Sequence, residues 1–258
     1  MSDLLDSTIT NFPGSRDSVE SKKQNILPKN CLRVGKDSEF TTIGEAIRHA
    51  LPGTEILVDP GIYREFLIIT KPVTLRCRNI NDSDVLQSLE GNGSKSKWAE
   101  IHATGMDAIC CILKPSQKTH IIGFKIFCEA PIINSFHALS VKGGLIVCRN
   151  SMLESSSGPV VCAELQGSNV IMQACVVHNG AQGGILAVDG AHLSLHQVHC
   201  CRNAAVGLEL RSKGSVSIES CHKESRLGNQ LGHSLPSIVK FIHISRKVVS
   251  LYPNLQHI

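Results

Sequence analysis

Aromatic residues make up only 4% of this chain, with a single tryptophan, although 42% of its residues are hydrophobic. A core built this way rests on Val, Ile, Leu, Ala and Cys, side chains that suit narrow β interiors better than broad helical ones. No apolar run approaches the roughly 18 residues of a membrane-crossing helix. The start, Met1 to Asp6, has no basic stretch leading into an apolar one, so no secretory signal is expected. The net charge of +4 comes from scattered residues, which excludes the basic patch of a nucleic-acid binder and predicts no membrane partner. The eleven cysteines show no Cys-x-x-Cys spacing. Several, among them Cys77, Cys128, Cys148, Cys175 and Cys221, fall in or beside apolar strands, as small buried hydrophobes do in a reducing compartment. The cytoplasm, or the nucleus, is the expected location. There is no phosphate-cradling glycine loop between a strand and a helix, and no Gly-x-Ser-x-Gly elbow.

What the chain does have is a period. Gly144, Gly167 and Gly190 recur every 23 residues, and Gly214 follows after 24. The text around them repeats as Gly-Ser-Asn-Val-Ile-Met-Gln-Ala-Cys at 167–175, Gly-Ala-His-Leu-Ser-Leu-His-Gln-Val at 190–198 and Gly-Ser-Val-Ser-Ile-Glu-Ser-Cys at 214–221. Strand-type alternation with a glycine at the corner reads as one coil of a solenoid, which buries its apolar side only against neighbouring coils. Alternation then predicts an inward stack of Val170 and Met172, Leu193 and Leu195, Val216 and Ile218. A second stack joins Cys175, Val198 and Cys221, and Ile185 and Ala187 lie against Leu208 and Leu210. Asn179 and Asn203 fall at the following bend, where a left-handed conformation is tolerated.

Three segments are expected. Residues 1–30 read as a polar leader, 31–222 as an all-β right-handed parallel β-helix with an N-terminal capping helix, and 223–258 as a C-terminal tail or cap. Cys31–Val34 reads as a strand. The helix starts at Thr42, with Glu45 completing a Thr-x-x-Glu capping box, carries Ile43, Ala46, Ile47, Ala50 and Leu51 on its apolar face, and stops at Pro52-Gly53. Strands follow at 55–58, 66–70 and 73–77. A polar loop occupies 79–97, and further strands cover 99–103, 108–113 and 120–128.

The run Phe40-Thr-Thr-Ile-Gly-Glu-Ala-Ile-Arg-His-Ala-Leu-Pro-Gly-Thr-Glu-Ile-Leu-Val-Asp-Pro-Gly-Ile-Tyr-Arg-Glu65 resembles the opening module of right-handed parallel β-helix proteins, the pectate-lyase-like superfamily. It is shared by pectin methylesterases and by the β-helix domains of F-box proteins. The later coils are more similar to F-box proteins and SHC-SH2-binding proteins. This resemblance implies a non-enzymatic protein-interaction module, an adaptor or substrate-recognition subunit whose partners are ubiquitin-ligase components or substrates. The first 30 residues are too short and too polar for the F-box helices themselves. The alternative it implies is a carbohydrate-active enzyme or glycan binder of the pectin methylesterase or pectate lyase type.

Two outward strips are candidate binding surfaces. One carries Gln173, His196 and Glu219 beside Ile171, Ser194 and Ser217. The other has an apolar centre of Leu186 and Val188 and a charged margin of Glu209 and Arg211. No catalytic residue, cofactor or metal site is expected. Glu164, Leu186 and Glu209 read as neighbours on three coils, so two coils of about 4.8 Å would part the acids by about 9.6 Å. That is the upper edge of the roughly 6.5–9.5 Å used in inverting glycoside hydrolysis. The Asp-Asp, His-Gly and Arg-x-Lys elements of polygalacturonases and a calcium-gathering acidic cluster are absent. His196, His199, Cys200 and Cys201 supply zinc-type ligands, but on one strand their directions diverge unless the chain bends at Gln197-Val198. Cys110-Cys111 reads as one surface and one interior thiol.

Overall fold

The computed structural model describes residues 30–80, 97–131 and 133–224. The expected leader, most of the polar loop and nearly all of the C-terminal tail lie outside the described residues. Among the described residues the strands form three parallel sheets of eight, seven and six strands, each taking one strand from each successive coil. This is the expected right-handed parallel β-helix, and right-handed crossovers between parallel strands are the rule.

The 23-residue rhythm is a register. Val170 pairs with Leu193 and Leu193 with Val216, while Met172, Leu195 and Ile218 stack beside them. The column runs upstream through Cys148, Ile121, Leu75 and Ile56 to Leu32. Seven of these eight positions alternate with outward polar or half-buried neighbours, so each coil covers the apolar floor of the next. Ile185 and Ala187 lie opposite Leu208 and Leu210 as the alternation requires. Cys175 and Val198 are in the core, with Cys221 packed against it.

Between the eight- and seven-stranded sheets the chain turns on one left-handed residue. Asn150, Ala174, Gln197 and Ser220 have φ of 49°, 49°, 52° and 50°, and on the earlier coil Gly123 has φ 81°. That corner splits the single strand expected at 120–128 into Lys118–Ile122 and Phe124–Glu129. The mid-strand glycine is the signal, because it takes the left-handed region without strain. Asn179 is left-handed at φ 54°. At the equivalent bend one coil on, it is Arg202, at φ 55°, that takes this conformation. Asn203 serves the bend with its side chain, its Oδ1 accepting from the Gly180 N–H at 2.8 Å and its amide donating to the Val177 carbonyl at 3.2 Å.

The capping helix spans Ile43–His49, and Thr42 Oγ1 accepts from the Glu45 N–H at 3.3 Å. The carboxylate that serves the first turn is Glu65, not Glu45. Its two oxygens accept from the Ile43 and Gly44 N–H groups, each at 2.8 Å. Leu51 lies past the helix and is 67% exposed, so it is not part of the apolar face. Lys71 closes the other end on the Arg48 and Ala50 carbonyls. A short strand, Gly61–Tyr63, escapes the sequence pattern because its positions are exposed or half-buried.

Candidate functional site

The outer face of the six-stranded sheet gathers more reactive side chains than its composition suggests. Strand pairing sets Cys110, Ser140, Cys162, Leu186 and Glu209 in one column. Two residues further along each strand, backbone bonds to Val141, Ala163 and Ala187 carry the ladder on to Glu164, Val188 and Arg211, with Lys142 held by Cys111. This register corrects the expected acid spacing. Leu186 faces Cys162, while Glu164 lies beside Lys142, its carboxylate 3.9 Å from the ammonium. Glu164 and Glu209 therefore differ by two coils and two residues, about 12 Å at the backbone. Leu186 and Val188 lie between them, and Glu209 is held by Arg211 at 2.6 Å. Among the described residues no pair of glycosidase type forms on this face.

A tighter grouping forms at His137, Cys162 and Glu164, whose donor atoms all lie within 4.8 Å of one another. Cys162 and Glu164 come from adjacent outward positions of one strand end, with Sγ and Oε1 3.5 Å apart. His137 arrives from the turn before strand Leu139–Val141. Asp107 Oδ1 accepts its backbone N–H at 2.8 Å, and its ring Nδ1 lies 2.7 Å from the Pro159 carbonyl oxygen. A carbonyl can only accept, so Nδ1 carries the hydrogen and the lone pair of the neutral ring sits on Nε2. His137 and Cys162 are buried, whereas Glu164 is partly open to solvent. Burial pushes the Cys162 thiol up to about 12, and the Glu164 carboxylate adds to the shift. Ser140 is fully buried between Cys110 and Cys162 in the column. Its Oγ lies near the Cys110 thiol but makes no hydrogen bond of ordinary geometry.

At the N-terminal end of the same face the surface turns apolar, with Phe66, Ile68 and Ile112 each about half exposed. Beside Phe66 an open pocket of about 260 Å³ sits at the corner with the seven-stranded sheet, lined among others by Arg64, His102, Thr104 and Met106. His102 Nε2 is 3.2 Å from Glu100, and its ring lies against Phe127 at 4.5 Å between centroids. Trp98 offers no open platform: it is 3% exposed, with the Lys125 ammonium 5.3 Å from its ring centre.

The residues singled out from sequence spread over all three sheets. Gln173, His196 and Glu219 do form one outward column on the eight-stranded sheet, with His196 Nδ1 3.2 Å from Glu219. Leu186 and Val188 neighbour Glu209 and Arg211 as expected, but Leu186 is only 8% exposed and presents little surface. The chain does bend at Gln197, and the bend sends His196 and His199 to different sheets. Among the described residues the metal-type grouping is thus the one at His137, which sequence spacing could not reveal. His137 lies 25 residues and one coil before Cys162, which is two residues from Glu164, so no local motif joins the three. Cys111 is buried and Cys110 partly open, as their alternation requires.

No protein-family model matches the sequence, and neither does any curated protein. Solved structures do. The deglycosylated pectin methylesterase of Aspergillus niger is similar at 13% identity over 83% of this chain and 92% of its own, with a TM-score of 0.43. Pectin methylesterase PemA of Erwinia chrysanthemi is similar at 16% identity over 78% of this chain and 68% of its own, with a TM-score of 0.49. No relation to F-box or SHC-SH2-binding proteins is shown. The expectation of a non-enzymatic module stands corrected against these esterase neighbours, and the parallel β-helix itself is carried by the three stacked parallel sheets.

Proposed function

We propose that the protein is a carbohydrate-active hydrolase that cleaves an ester on an acidic polysaccharide along the outer face of the six-stranded sheet. The observation that carries this reading is the convergence of His137, Cys162 and Glu164 within 4.8 Å on that face. Ester hydrolysis asks for one activated water and one group that stabilises the developing oxyanion, not for two spaced acids. Water adds to the carbonyl carbon, the ester C–O bond breaks, and the proton taken from water is returned to the departing alcohol. The lone pair on His137 Nε2 and the Glu164 carboxylate are the basic atoms at hand, and the Lys142 ammonium beside Glu164 is the cation. Upstream, the Arg64 guanidinium and His102 suit uronate carboxylates, and half-exposed Phe66 offers a face to a sugar ring.

Release of methanol or acetate from esterified polygalacturonates tests the proposal. Turnover should fall at least 100-fold in Glu164→Gln while the thermal midpoint stays within a few degrees. Absence of both turnover and binding across esterified and free acidic polysaccharides would overturn it. Recovery of ligase scaffold subunits with the tagged protein from cells would instead favour protein recognition through the Leu186–Arg211 strip.

A further inference from the structure

We infer that His137, Cys162 and Glu164 form a binding site for a thiophilic divalent cation, best matched by zinc, with a fourth position open to water. The donor set is one imidazole, one thiolate and one carboxylate. Zinc accepts all three, at about 2.0–2.3 Å, whereas calcium and magnesium require oxygen-rich shells that this site lacks. Bonds of that length place tetrahedral donors about 3.5 Å apart. Cys162 Sγ and Glu164 Oε1 already stand at 3.5 Å, and no donor pair exceeds 4.8 Å, a gap that side-chain rotations close.

Two further features point to the same ligand. The Nδ1–H of His137 is committed to the Pro159 carbonyl, which fixes the ring and leaves Nε2 as the nitrogen with a lone pair, the arrangement that orients metal-bound histidines. Asp107 holds the backbone of the same residue. The second feature is Ser140, whose fully buried hydroxyl lies near the Cys110 thiol without a hydrogen bond of ordinary geometry and neighbours Cys162 across one strand pairing. A buried hydroxyl that is poorly bonded is costly. When the metal binds, Cys162 loses its thiol proton to solvent, and the resulting thiolate accepts from Ser140 Oγ–H. The thiolate and carboxylate together balance the charge of the cation, and Lys142 remains on the solvent side of Glu164. This cluster is separate from the sequence-local His196, His199, Cys200, Cys201 group.

The inference shares its residues with the hydrolase reading and gives that reading an agent for activating water, yet metal binding needs no polysaccharide. Zinc affinity of the full chain, measured by competition with a chromophoric chelator, should show one tight site per chain. Cobalt(II) loaded in its place should give the absorption of a single thiolate ligand. Cys162→Ser and His137→Gln should each weaken zinc by about 100-fold or more, and Cys162→Ser should also remove that absorption, with Glu164→Gln as the variant least able to disturb folding. Cys31→Ser, at a distant half-buried thiol, should change nothing. Absence of a stoichiometric site in the wild type, or unchanged affinity in Cys162→Ser, would overturn the inference. Tight zinc without ester turnover would leave this site standing and remove the hydrolase. Ester turnover in a chain that binds no zinc would do the reverse.

Discussion

Replacing Leu193 by Ala and, separately, its neighbour Ser194 by Ala tests the coil register with two adjacent residues. Leu193 is fully buried, stacked between Val170 and Val216, whereas Ser194 lies outward between Ile171 and Ser217. Truncating leucine removes three carbons, about 2.4 kcal/mol of transfer free energy at roughly 0.8 kcal/mol each. The cavity left behind adds a term that grows by about 24 cal/mol per Å³. Coils above and below hold its walls, so little collapse is expected and the total loss is about 2.5–4 kcal/mol. Ser194→Ala should stay within about 0.5 kcal/mol of the wild type. Urea unfolding followed by circular dichroism reads both, with slopes compared because stacked coils can unfold in parts. A loss below about 1 kcal/mol for Leu193→Ala, or equal losses for the two variants, would refute the inward column.

The corner at Gln197 gives a second prediction: Gln197→Val should destabilise by about 1–2 kcal/mol, since a β-branched residue resists φ of 52°, while Gln197→Gly should be near neutral. Thermal melts of the two variants decide it, and equal losses would remove the strain argument. Glu65→Gln should cost about 1.5–3 kcal/mol, because one carboxylate serves two helix N–H groups and an amide oxygen replaces it poorly. Faster hydrogen exchange at Ile43 and Gly44 would accompany the loss. His178 supplies a pH dependence. Burial lowers its pKa below 6.5, against the opposing pull of Glu154 and with Arg202 and Lys125 adding to the fall. The unfolded chain then binds the proton first, so the neutral histidine's contribution is intact above pH 6.5 and fades as pH drops through and below it. Denaturation midpoints measured between pH 7.5 and 5 should fall less steeply in His178→Gln than in the wild type.

Repetition made the architecture legible. A glycine every 23 residues fixes the coil length, and alternation inside each unit fixes which side chains face in, so Val170, Leu193 and Val216 could be stacked from sequence. The opening helix was equally clear, because a cap residue and an apolar spacing are local signals. Its second cap was not, since Glu65 lies 22 residues downstream of the amide it serves. The same limit hid the site. Glu164 precedes the turn at Leu165, where φ is 77°, and counting across that turn assigned it the row that Cys162 occupies. His137 belongs to no repeat and is held on the face by Asp107, the Pro159 carbonyl and the Ala108 N–H. Period and alternation report stacking; they carry no information on side chains delivered by the irregular corners.

The register at strand Pro159–Ala163 decides whether the site exists, and through-space contacts between amide protons on neighbouring coils read it directly in a perdeuterated sample. The amide of Cys162 should show contacts to the coils at Ser140 and Leu186, and that of Glu164 to those at Lys142 and Val188. Contacts from Glu164 to Leu186 instead would shift the strand by two residues, pull Cys162 away from Ser140 and His137, and contradict the account.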